Sequence, residues 1–202
     1  MIYIIMCGSN HEKIRGVPRQ LVTINGERIL DRTIRLLREN GVNDIGITCT
    51  DDAFLGVDAE IFHYDSSGPW VNAFMKTYEP TTYIMGDVYF SPEAIRKIVE
   101  TDTNSIEFFA SAPPFAPNYP KQWAEPFAFK VYDYEFFHAC IEKVKELLER
   151  GAWQRHPISW ELWQVIKGTH PNCIDYTNYT VINDYTCDID CEQDIRIMER
   201  LI

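Results

Sequence analysis

The feature that most constrains the fold is an uninterrupted apolar run at residues 2–7, in which three of the six residues are isoleucine. A strand buried on both faces of a parallel sheet has this continuous pattern, whereas a strand with one face in water alternates apolar and polar residues. Similar apolar stretches recur along the chain at the spacing of an α/β protein. We therefore expect strands over 2–7, 44–49, 59–64, 82–85, 105–112 and 127–131.

Helix signals alternate with these strands. Residues 28–40 place apolar side chains on one helical face and are followed by Gly41, which suits the position after a helix. Ser91 before Pro92 is a typical helix start, and Asp133 is expected to cap a long helix. Because strand–helix–strand connections cover both faces of a sheet, the pattern predicts a three-layer α/β/α sandwich with a mixed, mostly parallel sheet. The expected helices are 28–40, 70–78, 92–100, 134–150, 160–166 and 192–201.

Length and charge narrow the functional class. A chain of 202 residues with no visible linker is expected to form one domain over 1–202. Its 30 acidic and 19 basic residues give a net charge of −11, which disfavours nucleic acid and anionic membranes as partners. No apolar run approaches the roughly 20 residues of a transmembrane helix, and the first apolar run lacks the basic segment of a signal peptide. We therefore expect a cytoplasmic protein.

The six cysteines are scattered and contain no C-x-x-C pair. In a reducing compartment this pattern favours free, buried thiols over disulfides or a zinc site. Trp160 and Trp163 are three residues apart on an expected helix, a spacing that favours core packing over a binding role.

Two places are expected to carry the site, because ligands of open α/β sheets bind beyond the carboxyl ends of the strands. They are the loop after the first strand and the end of the fourth strand at Gly86-Asp87. The loop 8–20 follows the first strand and concentrates cations in an otherwise acidic chain: His11, Lys13, Arg15 and Arg19, against one acidic residue. Such cations suit the phosphates of a nucleotide. The alternative is a solvated surface loop with an incidental charge.

Two acidic segments are candidates for a metal site. Asp87 follows Gly86 at the tip of the fourth strand, where a carboxylate can hold a hard divalent ion, although it could also be a turn or cap residue. Asp188 and Asp190 face the same way if 187–190 is extended. The alternative for Asp190 is that it caps the last helix. The turn 65–69, with Ser66, Ser67 and Gly68, can receive a ribose or base edge, but any β–α turn has this composition.

Taken in chain order, these segments resemble the nucleotidyltransferase superfamily with a GT-A-like, Rossmann-like fold. The family includes sugar-phosphate nucleotidyltransferases, cytidylyltransferases and molybdenum-cofactor nucleotidyltransferases. The resemblance spans nearly the whole chain. It is carried by Ile4-Ile5-Met6-Cys7-Gly8, Val17-Pro18-Arg19-Gln20-Leu21, Asn25-Gly26-Glu27-Arg28-Ile29-Leu30, Gly86-Asp87-Val88, Glu125-Pro126-Phe127-Ala128 and Asp188-Ile189-Asp190-Cys191-Glu192-Gln193-Asp194-Ile195.

This resemblance implies transfer of a nucleoside monophosphate from an NTP to a phosphorylated small acceptor, with Mg²⁺ and release of pyrophosphate. The acceptor would be a sugar phosphate, a polyol phosphate or a phosphocholine-like group, and CTP or UTP is favoured as the donor. A nucleotide-binding half over about 1–111 would precede an acceptor-binding half over about 112–202, and a homodimer is left open.

The resemblance also assigns roles to residues. It implies catalytic cations at Arg19, Lys13 and Arg15, and Mg²⁺ ligands at Asp87 and Asp190. The acceptor would be bound by Glu125, Lys121 and Arg155. The nucleotide would be bound by Met6, Cys7, Gly8, Ser9, Ser66, Ser67, Gly68 and Gly86.

The chain departs from the family pattern after Gly8. Asn10 stands where the family has a second glycine, Glu12 where it has arginine, and Arg19 where a lysine usually follows proline. Two alternatives therefore stay open. One is a glycosyltransferase of the same fold that uses an NDP-sugar, although Asp87-Val88-Tyr89 lacks the second aspartate of a D-x-D motif. The other is a nucleotide-binding protein without catalysis, which the altered loop favours.

Overall fold

A computed structural model describes residues 1–8, 13–50, 52–65, 68–112, 124–153, 159–170 and 172–202. The strands are β1 Ile2–Met6, β2 Thr23–Ile24, β3 Glu27–Arg28, β4 Ile45–Cys49, β5 Glu60–His63, β6 Thr81–Met85, β7 Val88–Tyr89, β8 Ile106–Ser111, β9 Pro126–Val131, β10 Thr180–Ile182 and β11 Cys187–Asp188. The helices are α1 Ile29–Glu39, α2 Pro92–Glu100, α3 Tyr134–Glu149, α4 Ser159–Lys167 and α5 Glu192–Leu201.

Seven of the described strands form one sheet in the order β10-β8-β9-β6-β1-β4-β5, and the other four form the pairs β2–β3 and β7–β11. β1 pairs in parallel with β4 and β6, β4 with β5, and β10 with β8. β9 is the exception and runs antiparallel to both β6 and β8. The mixed, mostly parallel sheet predicted from the sequence is confirmed, and its central strand β1 is buried along its whole length.

Two neighbouring residues of β9 show that helices cover both faces of the sheet. The ring of Phe129 lies near that of Phe137 on α3, with centroids 5.7 Å apart. Lys130 points the opposite way, and its Nζ donates to the carbonyl oxygens of Val99 and Thr101 at 2.8 and 2.7 Å, at the end of α2. Since successive strand residues face opposite sides, α2 and α3 lie in different layers. The three-layer sandwich is confirmed.

Local signals located the helix starts correctly. The Ser91 hydroxyl accepts a hydrogen bond from the Ala94 amide at 2.9 Å, and the Asp133 carboxylate accepts one from the Phe136 amide at 3.0 Å. Gly41, after α1, has a φ of +81°, a conformation that favours glycine. The prediction that Trp160 and Trp163 belong to the core is also confirmed, since both are buried.

The helix predicted over 70–78 is wrong. Only Trp70–Ala73 turns, as a short 3-10 helix, and Phe74 then leaves the helical path with a ψ of 85°. This places the Phe74 ring edge-on against Tyr83, with centroids 5.2 Å apart. Further along, the Thr77 amide does not donate to a helical carbonyl group. It donates to His138 Nε2 at 3.0 Å. The packing of Phe74 against Tyr83 therefore outweighs the preference of the local sequence for a helix.

A second, smaller apolar cluster lies apart from the main core, and we call it the edge core. It joins the end of the loop 8–20, the β2–β3 hairpin, the β7–β11 pair and α5. Its buried members are Ile14, Val22, Ile24, Ile29, Tyr89, Cys187, Ile189, Ile195 and Met198.

The six cysteines all carry free thiols, but the expectation that they are buried is wrong for two of them. Cys7, Cys49, Cys140 and Cys187 are buried, while Cys173 and Cys191 are exposed. Within the described ranges, no helix has both the length and the apolar character needed to cross a membrane.

Candidate active site

The order of the strands reverses beside β1. The chain runs from β1 to β4 and β5 on one side and then crosses to β6 on the other. Ligands of open α/β sheets bind in the crevice at such a reversal. Here the carboxyl ends of β1 and β6 are joined by a hydrogen bond, since the Gly86 amide donates to the Met6 carbonyl oxygen at 3.1 Å. The candidate residues Met6, Cys7, Gly8, Gly86 and Asp87 therefore meet at one place.

Gly86 is required for this close approach. A Cβ at Gly86 would lie 2.5 Å from the Met6 carbonyl oxygen and 3.0 Å from Cys7 Sγ. Burial raises the pKa of the Cys7 thiol well above its usual range, and Cys49 and Asp87 raise it further. The buried Cys7 side chain therefore forms part of the wall of the crevice.

The Gly86→Ala variant is expected to lower the free energy of unfolding by about 1–3 kcal/mol, because the added methyl group meets backbone that cannot move aside cheaply. Gly68→Ala is a matched control, since a Cβ there would meet only the end of the Asn72 side chain. Urea unfolding of both variants measures the difference. Equal stabilities would contradict a tight β1–β6 junction.

Tyr64 belongs to this region although sequence reasoning did not single it out. It follows β5, and its hydroxyl occupies the space into which a Cβ at Gly8 would project. Burial raises the pKa of the half-buried Tyr64 phenol, with Cys49 and Cys7 adding to the effect, so the hydroxyl stays protonated. It is a hydrogen-bond donor beside the glycine of the first loop. Its position at the end of the third predicted strand, 59–64, was the available signal.

The short pair of β7 and β11 brings the closing segment 187–191 to the same crevice. Asp188 pairs with Val88, and the Ile189 amide donates to the Asp87 carbonyl oxygen at 2.9 Å. Cys187 and Ile189 are buried in the edge core, whereas Asp188 is partly exposed and Asp190 is exposed. The two aspartates therefore lie on the side away from the edge core, in a segment whose backbone is joined to that of Asp87.

Neither candidate metal ligand caps a helix, so the cap alternative for Asp190 is wrong, but Asp87 does lie in the turn between β6 and β7, as its turn alternative expects. Ser91 caps α2. The start of α5 is held by Asp194, whose Oδ2 accepts hydrogen bonds from the amides of Asp190 and Cys191 at 2.8 and 2.9 Å. The Asp190 carboxylate accepts a hydrogen bond from Arg19 Nη1 at 2.6 Å.

Two of the cations predicted in the first loop form ion pairs with the other end of the chain: Arg19 with the closing segment and Arg15 with α5. Arg19 is 17% exposed and pairs with Asp190. Arg15 has a φ of +54°, in a tight turn closed by hydrogen bonds between Ile14 and Val17. Arg15 Nη2 lies 2.6 Å from the Glu192 carboxylate. This contact raises the pKa of Arg15 and lowers that of Glu192, so the pair is charged at neutral pH.

The acceptor-side candidate Glu125 lies at the same edge of the sheet. It is 2% exposed, and its Oε2 accepts a hydrogen bond from the Asp188 amide at 3.0 Å. Its own amide donates to the Ser111 hydroxyl at 2.8 Å. Lys13 is exposed at the start of the described part of the loop.

Five other candidates lie outside the described residues: Ser9, Ser66, Ser67, Lys121 and Arg155. Gly68 is described, in a bend that precedes the 3-10 turn.

Comparison with known proteins supports the fold. No family model matches the sequence, and no curated protein sequence matches it. Among solved structures, the chain has the fold of a Bacillus anthracis protein described as a glucose-1-phosphate thymidylyltransferase and crystallised with sucrose. The TM-score is 0.67 and the identity 15%, over 99% of this chain and 94% of that one. HddC from Yersinia pseudotuberculosis gives a TM-score of 0.56 at 17% identity, over 99% of both chains. The GT-A-like fold expected from the resemblance is confirmed.

Proposed function

We propose that this protein is a nucleotidyltransferase that moves a nucleoside monophosphate from an NTP to a phosphorylated small acceptor and releases pyrophosphate. The observation that carries the proposal is the ion pair of Arg19 with Asp190, in a segment whose Ile189 amide bonds to the Asp87 carbonyl oxygen beside the reversal point between β1 and β6. Cations and carboxylates at such a point suit a nucleotide bound with a divalent ion. The fold shared with a structure described as a thymidylyltransferase supports a sugar phosphate as the acceptor.

The residues present fit a magnesium ion. No group of three or more His, Cys, Asp or Glu side chains forms a metal cluster in the part of the chain that the structure describes. Mg²⁺ does not need one, because it is commonly held by one or two carboxylates while phosphates and water fill the other positions. Asp87 and Asp190 would supply these oxygens. When bound, the ion would neutralise charge on the phosphates.

The chain's own residues would position the reactants. The nucleotide would lie over Met6–Gly8 and Gly86, with Ser9, Ser66, Ser67 and Gly68 beside its ribose or base. An acceptor oxygen would attack the α-phosphorus in line with the departing pyrophosphate, whose charge Arg19 would stabilise together with Lys13 or Arg15. Such a reaction needs orientation and charge neutralisation more than covalent chemistry.

The acceptor would bind on the side of β8 and β9. Glu125 lies at the carboxyl edge of the sheet, where β8 ends and β9 begins. Lys121 and Arg155 would supply cations for the acceptor phosphate. The burial of Trp160 and Trp163 removes them from this role.

The ion pairs Arg19–Asp190 and Arg15–Glu192 also favour a second candidate, a nucleotide-binding protein without catalysis. Both guanidinium groups are held by carboxylates of the closing segment or of α5, as they would be in a site that no longer receives a triphosphate. The experiment below separates the two functions.

The test is thermal stability of the protein with CTP, UTP, dTTP, GTP and ATP, each with Mg²⁺ and with a chelator. A nucleotide at 100 times its dissociation constant adds about 2.7 kcal/mol of stability, which shifts the melting temperature clearly. We expect stabilisation by at least one nucleotide, dependent on Mg²⁺, with CTP and UTP tested first. Pyrophosphate release with that nucleotide and a set of sugar phosphates then identifies the acceptor.

The contrary outcomes are distinct. Nucleotide binding without pyrophosphate release for any acceptor favours the non-catalytic protein. Stabilisation by an NDP-sugar but by no NTP favours the glycosyltransferase. No stabilisation by any nucleotide rejects the proposed function.

A further inference from the structure

The closing segment is held by every one of its amides from 188 to 191. The amides of Asp190 and Cys191 donate to Asp194, and that of Ile189 donates to the Asp87 carbonyl oxygen. The amide of Asp188 donates to the Glu125 carboxylate. Asp194 is a local helix cap, four residues away at most, whereas Glu125 reaches the segment from 63 residues away.

We propose that Glu125 is a positioning residue that fixes the segment carrying Asp188 and Asp190 against Asp87. This role differs from the acceptor contact that the family resemblance implies for Glu125. The inference rests on the proposed function, because it requires a metal-dependent nucleotide site at Asp87 and Asp190.

The position of Glu125 is itself fixed. Its amide donates to the Ser111 hydroxyl at 2.8 Å, and its carbonyl oxygen accepts a hydrogen bond from the Ser111 amide at 2.9 Å. Ser111 ends β8, so the backbone of Glu125 is anchored to the main sheet. The side chain is 2% exposed and is therefore restrained by its surroundings. Because the Glu125 carboxylate is held in this way, it fixes the position of the Asp188 amide relative to the main sheet.

The contact with Asp188 has a direct consequence for the proposed ligands. Residue 188 is held by Glu125 and residue 189 by the backbone of Asp87, so the segment is fastened on both sides just before Asp190. Partners that orient the ligands of a metal change its affinity strongly, typically by 10- to 100-fold when they are removed. Loss of the Glu125 oxygen would let the segment shift while leaving Asp87 and Asp190 in the chain.

The test compares Glu125→Ala and Glu125→Gln with the wild-type protein. Each is titrated with Mg²⁺ at a fixed concentration of each nucleotide in the panel above, and thermal stabilisation is recorded without acceptor. Alanine removes the oxygen, so we expect half-maximal stabilisation to need roughly 10- to 100-fold more Mg²⁺. Glutamine retains an oxygen that accepts from the Asp188 amide, so we expect its Mg²⁺ requirement to stay near that of the wild type.

A control separates positioning from general destabilisation. Asp133→Ala removes the hydrogen bond that caps α3, at the amino edge of the sheet and opposite to the closing segment, and should lower stability without changing the Mg²⁺ requirement. An unchanged requirement in Glu125→Ala overturns the inference. An equal loss in Glu125→Gln also overturns it, because charge and not the hydrogen bond would then be responsible.

Rejection of the proposed function would give a different experimental result from rejection of this inference alone. If no nucleotide stabilises the wild-type protein, the proposed function and the inference are both rejected. If the wild type responds to Mg²⁺ and Glu125→Ala responds identically, only the inference is rejected.

Discussion

Replacing Asp87 with asparagine is expected to reduce Mg²⁺-dependent turnover by roughly 10³-fold, because a bound metal contributes several kcal/mol of charge stabilisation in the transition state. The fold should change little. Asp87 is partly exposed, and the hydrogen bond between its carbonyl oxygen and the Ile189 amide does not involve the side chain. Pyrophosphate release as a function of Mg²⁺, together with urea unfolding, measures both effects.

Asp44→Asn is a suitable control for this experiment. Asp44 is exposed just before β4, at the amino edge of the sheet, and the substitution makes the same chemical change at the opposite end from the crevice. It should leave turnover unchanged. Normal turnover in Asp87→Asn would exclude Asp87 as a metal ligand.

The second large effect is expected at Arg19. Arg19→Ala should lower kcat/KM by roughly 10²–10³-fold, the cost of removing one group that stabilises developing charge. Stability should fall much less, because the partner Asp190 is half exposed and exposed ion pairs contribute little. Arg19→Lys keeps the charge but loses the planar fork, so we expect an intermediate rate.

Arg38→Ala provides the comparison, since it removes an exposed guanidinium that pairs with Asp58 beside β5. Steady-state rates of pyrophosphate release for these variants measure the effect. A rate in Arg19→Ala equal to that of Arg38→Ala would assign the stabilising charge to Lys13 or Arg15.

The sequence-based predictions were correct where they depended on residues close together in the chain, and failed where they depended on residues far apart. The helix starts at Ser91 and Asp133 were predicted correctly, because each cap bonds an amide three residues away. The helix expected over 70–78 failed because Phe74 packs against Tyr83 and His138 takes the Thr77 amide, contacts that no local pattern contains.

The predictions for the candidate site show the same dependence on distance along the chain. The carboxyl ends of β1 and β6 were identified as the site because parallel strands bring their ends to one edge. The ion pair between Arg19 and Asp190 joins residues 171 positions apart, and the pairing of β7 with β11 joins Val88 to Asp188, 100 positions apart. The contact of Tyr64 with Gly8 likewise depends on the order of strands in the sheet. These contacts form only in the tertiary structure, so they could not be predicted from the sequence of any one segment.

If the protein has the proposed function, the edge core has a consequence for the timing of substrate exchange. Ile14, within the cationic loop, shares this cluster with Ile189 of the closing segment and with Ile195 and Met198 of α5. Segments packed into one small cluster open as a cooperative unit, at a lower free-energy cost than global unfolding. Opening of that unit would separate Arg19 from Asp190 while the seven-stranded sheet stays intact. The rate at which product leaves would then be set by a few aliphatic contacts remote from the phosphates.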